Sequence, residues 1–462
     1  MRNARCTIRN GGQAVGSLGI DRAALAGIRA ERVDWRFKGL PDSVFGQTLG
    51  EVADAGLDLF TDGFVGPLVV LDEAALTHNL TTMADWCARH GMRLAPHGKT
   101  TMAPQLFARQ LELGAWGMTT ANISQLRVYR AFGVRRIQLA NELVDPAALR
   151  WVAAELDRDA DFEFCCWADS VAGVDLMTEA LRAADRATNR STDSSRPVDV
   201  LVELGAPGGR SGARDLPTAQ AVAEAVAASP QLRLAGVAGY EGALTHDTTA
   251  DALSLLDAYF ERMRALVIRL AADGLFADVP DVIVSAGGSA YFDRVVAALG
   301  AAWPDGLRVT PVLRSGAYLT HDDGFYRDIS PLGEAVRLTD APPFRPALRA
   351  WAQVTSLPEP DLALLTIGKR DAPFDEGLPE PRLIRTADGV IAPLRGCRVH
   401  KMSDQITFLG PERDGDALPV AVGDWIGLGL SHPCTTFDKW RLIPVVGGPH
   451  GTTVVDLVHT YF

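Results

Sequence analysis

The chain has 462 residues, 47% of them hydrophobic and 22% charged, the profile of a folded globular protein and not of a disordered or fibrous one. Its 45 Lys and Arg against 57 Asp and Glu leave a formal charge of −12, which offers no basic footprint for a nucleic-acid backbone or an anionic membrane. No apolar stretch approaches the roughly 20 residues that span a bilayer, and the arginines among Met1 to Asn10 have no apolar core behind them, so a cytoplasmic protein without a membrane or nucleic-acid partner is expected.

A length of this order predicts two domains, or one large α/β barrel with an addition. Residues 1 to about 60 show no clean period, although Asp21 to Ile28 and Asp42 to Val52 read as short helices. From Gly66 onward, short apolar runs alternate with longer Ala/Leu-rich stretches of helical period. The runs that read as strands are Arg93 to Pro96, Trp116 to Thr120, Arg136 to Ala140, Phe162 to Ala168, Val198 to Leu204, Leu234 to Tyr240, Val282 to Ser285 and Arg308 to Leu313. Helical stretches lie between them, among them Pro104 to Leu113, Pro146 to Leu156, Val171 to Ala187 and Asp251 to Ala272. The polar run Asn189 to Arg196 reads as a solvated loop. An eightfold alternation is what a TIM-type (β/α)8 barrel requires; a doubly wound open sheet produces a similar pattern, so the alternation favours the barrel without deciding it. After about Gly333 the chain turns Pro-, Gly- and Val-rich, with short strand candidates from Leu348 to His459. The expected architecture is therefore α/β. Residues 1–66 form an N-terminal extension that packs on the second domain, 67–335 a (β/α)8 barrel, and 336–462 a C-terminal β-rich domain.

Chemistry-bearing residues fall just past strand ends, where barrels build their sites. In Pro96-His97-Gly98-Lys99-Thr100, a lysine in an arginine-rich chain follows the first barrel strand and is flanked by His97 and threonines. Desolvated there, it would have a lowered pKa and could form a Schiff base; the plain alternative is an exposed loop lysine. Gly287-Gly288-Ser289 follows the seventh strand, and Arg314-Ser315-Gly316-Ala317-Tyr318 the eighth. Backbone N–H groups at such turns make an anion site, and barrels often bind phosphate between these two loops. Arg210 lies within glycines after the fifth strand, and Tyr240 ends the sixth; together they could meet and stack on a heteroaromatic ligand. In the β-rich region, His432-Pro433-Cys434 in an extended segment would put imidazole and thiolate on one face, where they can share a zinc ion. Two ligands are fewer than a closed structural site uses, and an incomplete set leaves room for water and substrate. The six cysteines are too scattered for a disulfide framework, and Cys165-Cys166 reads as core.

At these residues the chain resembles the D-serine dehydratase and D-threonine aldolase group, metal-assisted pyridoxal phosphate enzymes of the alanine racemase-like fold. The resemblance runs from about Gly66 to the C-terminus and rests on the order of the Pro96-His97-Gly98-Lys99-Thr100, Gly287-Gly288-Ser289 and His432-Pro433-Cys434 tracts. It implies that Lys99 holds pyridoxal 5'-phosphate, that Gly287, Gly288, Ser289, Ser315, Gly316 and Tyr318 hold its phosphate, and that His432 and Cys434 bind Zn2+ beside the substrate's β-hydroxyl. The group's dehydratases look like His-x-Cys at that tract and its aldolases more often like His-x-Asp, which favours β-elimination of D-serine over retro-aldol cleavage. A homodimer is implied by analogy. One departure is Ile406, which follows Ser403-Asp404-Gln405 where the group commonly has a histidine.

Overall fold

The computed structural model describes residues 19–187, 196–334, 336–448 and 451–462. Apart from Arg196, the polar run expected at Asn189 to Arg196 lies outside the described residues.

Strand β1 (Leu68–Asp72) precedes eight parallel strands: β2 (Arg93–Leu94), β3 (Met118–Thr120), β4 (Arg136–Glu142), β5 (Glu163–Ala168), β6 (Val198–Glu203), β7 (Leu232–Ala238), β8 (Val282–Ala286) and β9 (Val309–Leu313). The eight form one sheet in the order β2-β9-β8-β7-β6-β5-β4-β3. Its two ends meet: the Trp116 N–H donates to the Leu94 carbonyl and the Thr119 N–H to the Pro96 carbonyl, and His97 bridges Thr119. These bonds curl the sheet into the eightfold barrel and exclude the open doubly wound alternative.

The alternation was readable because parallel strands buried on both faces appear as continuous apolar runs; in the structure the helices between them begin on side-chain caps. Asp72 accepts from the Ala75 N–H, Asp145 from Ala148, Asp215 from Thr218 and Thr249 from Ala252; each satisfies a backbone donor that the first turn leaves open. Pro104, Pro146 and Pro217 sit in first turns, where a missing N–H costs nothing. The barrel interior holds Ala140, Cys165, Leu201, Ala235 and Ala238 around Trp167. It also holds a polar thread: Arg314 Nη1 donates to Ser285 Oγ at 2.9 Å, and Ser285 Oγ to Gln138 Oε1 at 3.1 Å.

The second unit is a ten-stranded sheet containing β1 and β10 (Leu348–Glu359), β11 (Leu362–Leu365), β12 (Glu380–Arg385), β13 (Ile391–Pro393), β14 (Cys397–Met402), β15 (Thr407–Pro411), β16 (Trp425–Gly429), β17 (Leu442–Gly447) and β18 (Thr453–His459). Its main path runs β13-β12-β16-β10-β1-β17-β18. β1 lies inside this sheet, antiparallel to β10 with Leu68 opposite Trp351 and parallel to β17. Leu68–Asp72 therefore belongs to the β domain and not to the barrel, whose first element is the helix Glu73–Arg89. β12, β13 and β17 carry prolines that break the alternating pattern and hide them from a sequence reading. The preceding segment touches both units: the Asp21 N–H donates to Phe132 of the barrel, and the Leu59 N–H to Thr452 beside β18. One apolar cluster runs through both units and fixes their relation. Among the described residues, no helix is long and apolar enough to cross a membrane.

Candidate active site

A cavity of about 450 Å³ opens at the C-terminal ends of the barrel strands, within the size range of small-molecule sites. It brings together Lys99, His97, Arg210, Tyr240, Gly287, Gly288, Ser289 and Gly316 from the barrel with His432 and Cys434 from the β domain.

Lys99 sits in the single 3-10 turn Gly98–Thr100 that follows β2. Gly98 is required there, since a Cβ would lie 2.5 Å from Tyr129 Oη. Burial pushes the Lys99 amine below its ordinary pKa; the Cys434 thiolate pulls the other way, and Arg210 and Arg314 add to the depression. His97 is likewise held well below the usual imidazole range, by burial and then by Lys99 and the two arginines. Its Nδ1 is buried without a partner, as is Trp167 Nε1 at the same cavity.

The glycine turn differs from its expected use. Glu241, buried at the end of the sixth barrel loop, accepts from the Gly287 N–H at 3.0 Å and from the Gly288 N–H at 2.7 Å. Those two donors, expected to face phosphate, are thus already bound by a carboxylate. Ser315 Oγ donates to the Gly288 carbonyl and Ser289 Oγ accepts from the Ala317 N–H, so the β8 and β9 loops are stitched together. Ser315 is spent on that stitch and does not line the cavity, in contrast to its expected role. From these loops Gly287, Gly288, Ser289, Ala290, Gly316 and Ala317 line the cavity. Gly316 has no room for a side chain, because a Cβ would lie 2.6 Å from the His97 carbonyl oxygen.

Tyr318 is also misassigned by the sequence reading. The 3-10 turn Ala317–Leu319 carries its ring into the helical layer, where its hydroxyl accepts from Gln110 Nε2 at 3.1 Å and its ring lies 6.2 Å from Phe344. Arg210 and Tyr240 do meet, with the guanidinium 4.9 Å from the ring centroid. The Arg210 loop is braced by Arg214, whose guanidinium donates to the carbonyls of Ala206, Gly209, Arg210 and Ser211.

The His432 tract is not extended. His432 has φ +49 and caps the one-turn helix Pro433–Phe437. That left-handed kink still brings the two side chains together: Cys434 Sγ lies 3.5 Å from Thr100 Oγ1, next to Lys99. His432 Nδ1 meets Asp375 Oδ2 at 2.5 Å, and Thr435 Oγ1 donates to the other Asp375 oxygen at 2.9 Å. Burial opposes charge on His432, but Cys434 and Asp375 outweigh it and raise the imidazole to about 9. Burial likewise opposes the Cys434 thiolate, yet His432, Thr100 and Lys99 hold the thiol below its ordinary value. Buried Asp322 organises this end, accepting from the backbone N–H groups of Gly324, Tyr326 and Arg327. The Ile406 turn does not line the cavity; the Ser403 N–H donates to the Ile406 carbonyl, and the Ile406 side chain is exposed.

Sequence reading missed Arg314, Glu241, Asp322, Asp375, Tyr326 and Glu376. Arg314 is fully buried and donates to Ser285 and to the Gly239 carbonyl; its position after a strand was visible, its inward direction was not.

These residues fit pyridoxal phosphate: a buried amine whose pKa is lowered, two orphaned ring nitrogens at the cavity wall, and a two-loop turn with a hydroxyl and glycines. They also fit a zinc ion, since an imidazole whose other nitrogen is held by a carboxylate, beside a low-pKa thiol, is a zinc donor pair with its orienting partner.

Two families match the chain: "Alanine racemase, N-terminal domain" over residues 71–299 and "Putative serine dehydratase domain" over residues 347–446, together more than two thirds of its length. A D-threonine aldolase of Arthrobacter sp is 29% identical over 327 residues, covering 70% of this chain and 77% of that protein. A D-threo-3-hydroxyaspartate dehydratase of Delftia sp. (strain HT23) is 29% identical over 258 residues, covering 55% and 61%. The crystal structure of D-threonine aldolase from Filomicrobium marinum superposes with a TM-score of 0.68 at 27% identity, covering 86% of this chain and 95% of that one. With its barrel, its β domain and its site in the order these proteins share, the chain belongs to the D-serine dehydratase and D-threonine aldolase group of alanine racemase-like, pyridoxal phosphate-dependent lyases.

Proposed function

We propose that the protein catalyses β-elimination on D-serine or a related D-β-hydroxy-amino acid, giving a 2-oxo acid and ammonia, with pyridoxal phosphate and zinc as cofactors. The observation that carries this reading is the meeting of Lys99 and the His432–Cys434 pair in one cavity, with Cys434 Sγ 3.5 Å from the hydroxyl of the residue next to Lys99.

Lys99 would hold the cofactor, with Gly288, Ser289 and Gly316 at its phosphate and His97, Arg210 and Tyr240 lining the rest of its site. Bound there, pyridoxal phosphate supplies a sink for the electron pair left on the α-carbon. Lys99, whose pKa burial lowers, takes the α-proton at Nζ. His432 and Cys434 would hold zinc, which supplies a Lewis acid for the β-hydroxyl, otherwise a poor leaving group. Asp375 fixes the His432 ring so that its remaining nitrogen is presented to the metal. The water lost across Cα and Cβ is regained when the released enamine hydrolyses to 2-oxo acid and ammonia, so the reaction is redox-neutral.

A second reading, retro-aldol cleavage to glycine and an aldehyde, is favoured by the likeness to D-threonine aldolases. Cys434 speaks against it, standing where the resemblance gives the aldolases an aspartate. We further propose a cytoplasmic homodimer. The described cysteines are free thiols, as a reducing compartment leaves them, and Trp35, 80% exposed, is the kind of residue a partner covers.

The test is a product assay on the cofactor-loaded protein with D-serine and D-threonine, with zinc and after chelation. Pyruvate and ammonia from D-serine only with metal supports elimination; glycine and acetaldehyde from D-threonine without pyruvate from D-serine would replace it with the aldolase reading.

A further inference from the structure

We infer that this cavity selects substrates whose β substituent is uncharged, and that Glu376 is the residue that turns away a second carboxylate. The inference rests on the lyase reading above and narrows its substrate class.

His432 and Cys434 fix where a β-hydroxyl would lie, so whatever else the β-carbon carries must occupy the cavity beside them. The side chains gathered there are aromatic or acidic. Phe325 and Tyr326 pack edge to face with centroids 5.1 Å apart, and His246 lies 6.5 Å from Phe325. Glu376 lines the same cavity as Tyr326 and the proposed metal pair, and buried Tyr326 has Cys434, Tyr240, Asp322 and Glu376 around it. Glu376 is held there through its neighbour, because Asp375 is pinned by both His432 and Thr435.

The cationic groups enter from the barrel side, with Lys99 nearest to Cys434. Among the described residues lining the cavity, lysine and arginine are represented by Lys99, Arg210 and Arg314. Arg314 is committed to Ser285 and Gly239 in the barrel, Arg210 lies over the Tyr240 ring, and Lys99 is the proposed base. The charges of the Cys434 thiolate and Asp375 already balance a divalent ion, so Glu376 leaves this end with an excess of negative charge. A hydroxyl, methyl or aryl group can sit on the Phe325–Tyr326 wall, whereas a carboxylate there would face the like charges of Glu376 and Asp322, the cavity's cations being engaged on its barrel side.

The experiment compares two substrates of nearly equal shape, D-threo-3-hydroxyaspartate and its amide D-threo-3-hydroxyasparagine, in the zinc- and pyridoxal phosphate-loaded protein. The amide is expected to exceed the acid in kcat/KM by at least about tenfold, mainly through KM. Glu376→Gln should shrink that ratio to within about threefold, and Glu376→Lys should invert it. Equal kcat/KM for acid and amide in the parent protein, or a ratio unmoved by Glu376→Gln, would overturn the inference. Glu376 lies on an exposed loop, so both variants should keep the parent's circular dichroism and thermal midpoint. If neither compound nor D-serine is turned over, it is the lyase reading that fails. The selectivity is then read from calorimetric binding of D-asparagine and D-aspartate: preference for the amide, lost in Glu376→Gln, sustains it, and equal affinities end it.

Discussion

Lys99, Glu241 and Arg314 stand at the ends of barrel strands with their surroundings fixed largely by backbone: Glu241 is held by two glycine N–H groups, Arg314 by the Gly239 carbonyl and the Ser285 hydroxyl, and the Lys99 turn by bonds across the barrel seam. His432, Asp375 and Glu376 at the other end belong to a one-turn helix and an exposed loop, joined chiefly by side chains. The reaction common to a family belongs on the rigid side, where a small displacement is costly. The choice of substrate and metal belongs on the loop side, where residues can change without disturbing a core. Substitutions at the two ends should therefore fail in different ways.

The largest effect is expected at the rigid end. Lys99→Ala should abolish turnover, a loss of at least about 10³-fold given the usual worth of a positioned general base, while leaving zinc affinity near that of the parent. Stopped assays of 2-oxo acid formation and a chelator competition check the two halves. Turnover within tenfold of the parent would remove Lys99 as the base.

Glu241→Ala tests the frame itself. It leaves two buried N–H groups and the Arg314 charge without their carboxylate, and removing one partner of a buried charged cluster costs about 3–5 kcal/mol. Denaturant unfolding should show that loss, with Glu241→Gln recovering part of it through one retained acceptor. A change below about 1 kcal/mol would mean that water or ligand replaces the carboxylate without penalty.

At the loop end, Asp375→Ala should spare stability and weaken metal binding by about 10–100-fold, the usual consequence of releasing the group that orients a ligating histidine. Chelator competition measures the affinity, and thermal unfolding checks that the fold is kept. An unchanged affinity would reassign Asp375 to loop stability alone.

The same division explains what the sequence could reveal. Barrel strands and helices were legible from continuous apolar runs and from the helical period between them, and Lys99, Ser289 and Gly316 from their places after strands. The partners of those residues were not. Glu241 precedes by 46 residues the turn whose donors it occupies, and Asp375 precedes by 57 the histidine it orients; nothing local marks either as a neighbour. β1 goes unread as a strand and falls inside the range expected for the barrel, because its partners β10 and β17 lie far along the chain. The His432 tract was expected to be extended, whereas Asp375 and Asp322 hold that segment in a kink only the folded chain supplies.

The smallest expected effect returns to the strand ends. Glu142, Asp169 and Glu203 present oxygens within 4.8 Å of one another at the ends of β4, β5 and β6. Ser211 and the Gly212 N–H bond to Glu203 and Asp169, while Glu142 Oε1 and Glu203 Oε2 are buried without partners. Burial first, and the facing Glu203 second, push the Glu142 carboxyl up to about 8 from an ordinary 4.5. Between those two values the folded chain keeps a proton that the unfolded chain has released, so stability falls as pH rises through the window and levels off above about 8. Glu142→Gln removes the titration and keeps the shape. Its thermal midpoint should match the parent's near pH 4.5 and exceed it increasingly toward pH 8, where the parent has lost the contribution of that proton. A difference that does not vary with pH would show Glu142 ionised in both states. The strand ends would then tolerate clustered charge as readily as the exposed Asp375–Glu376 loop does, and the rigid end would lose part of its claim to be the more demanding environment.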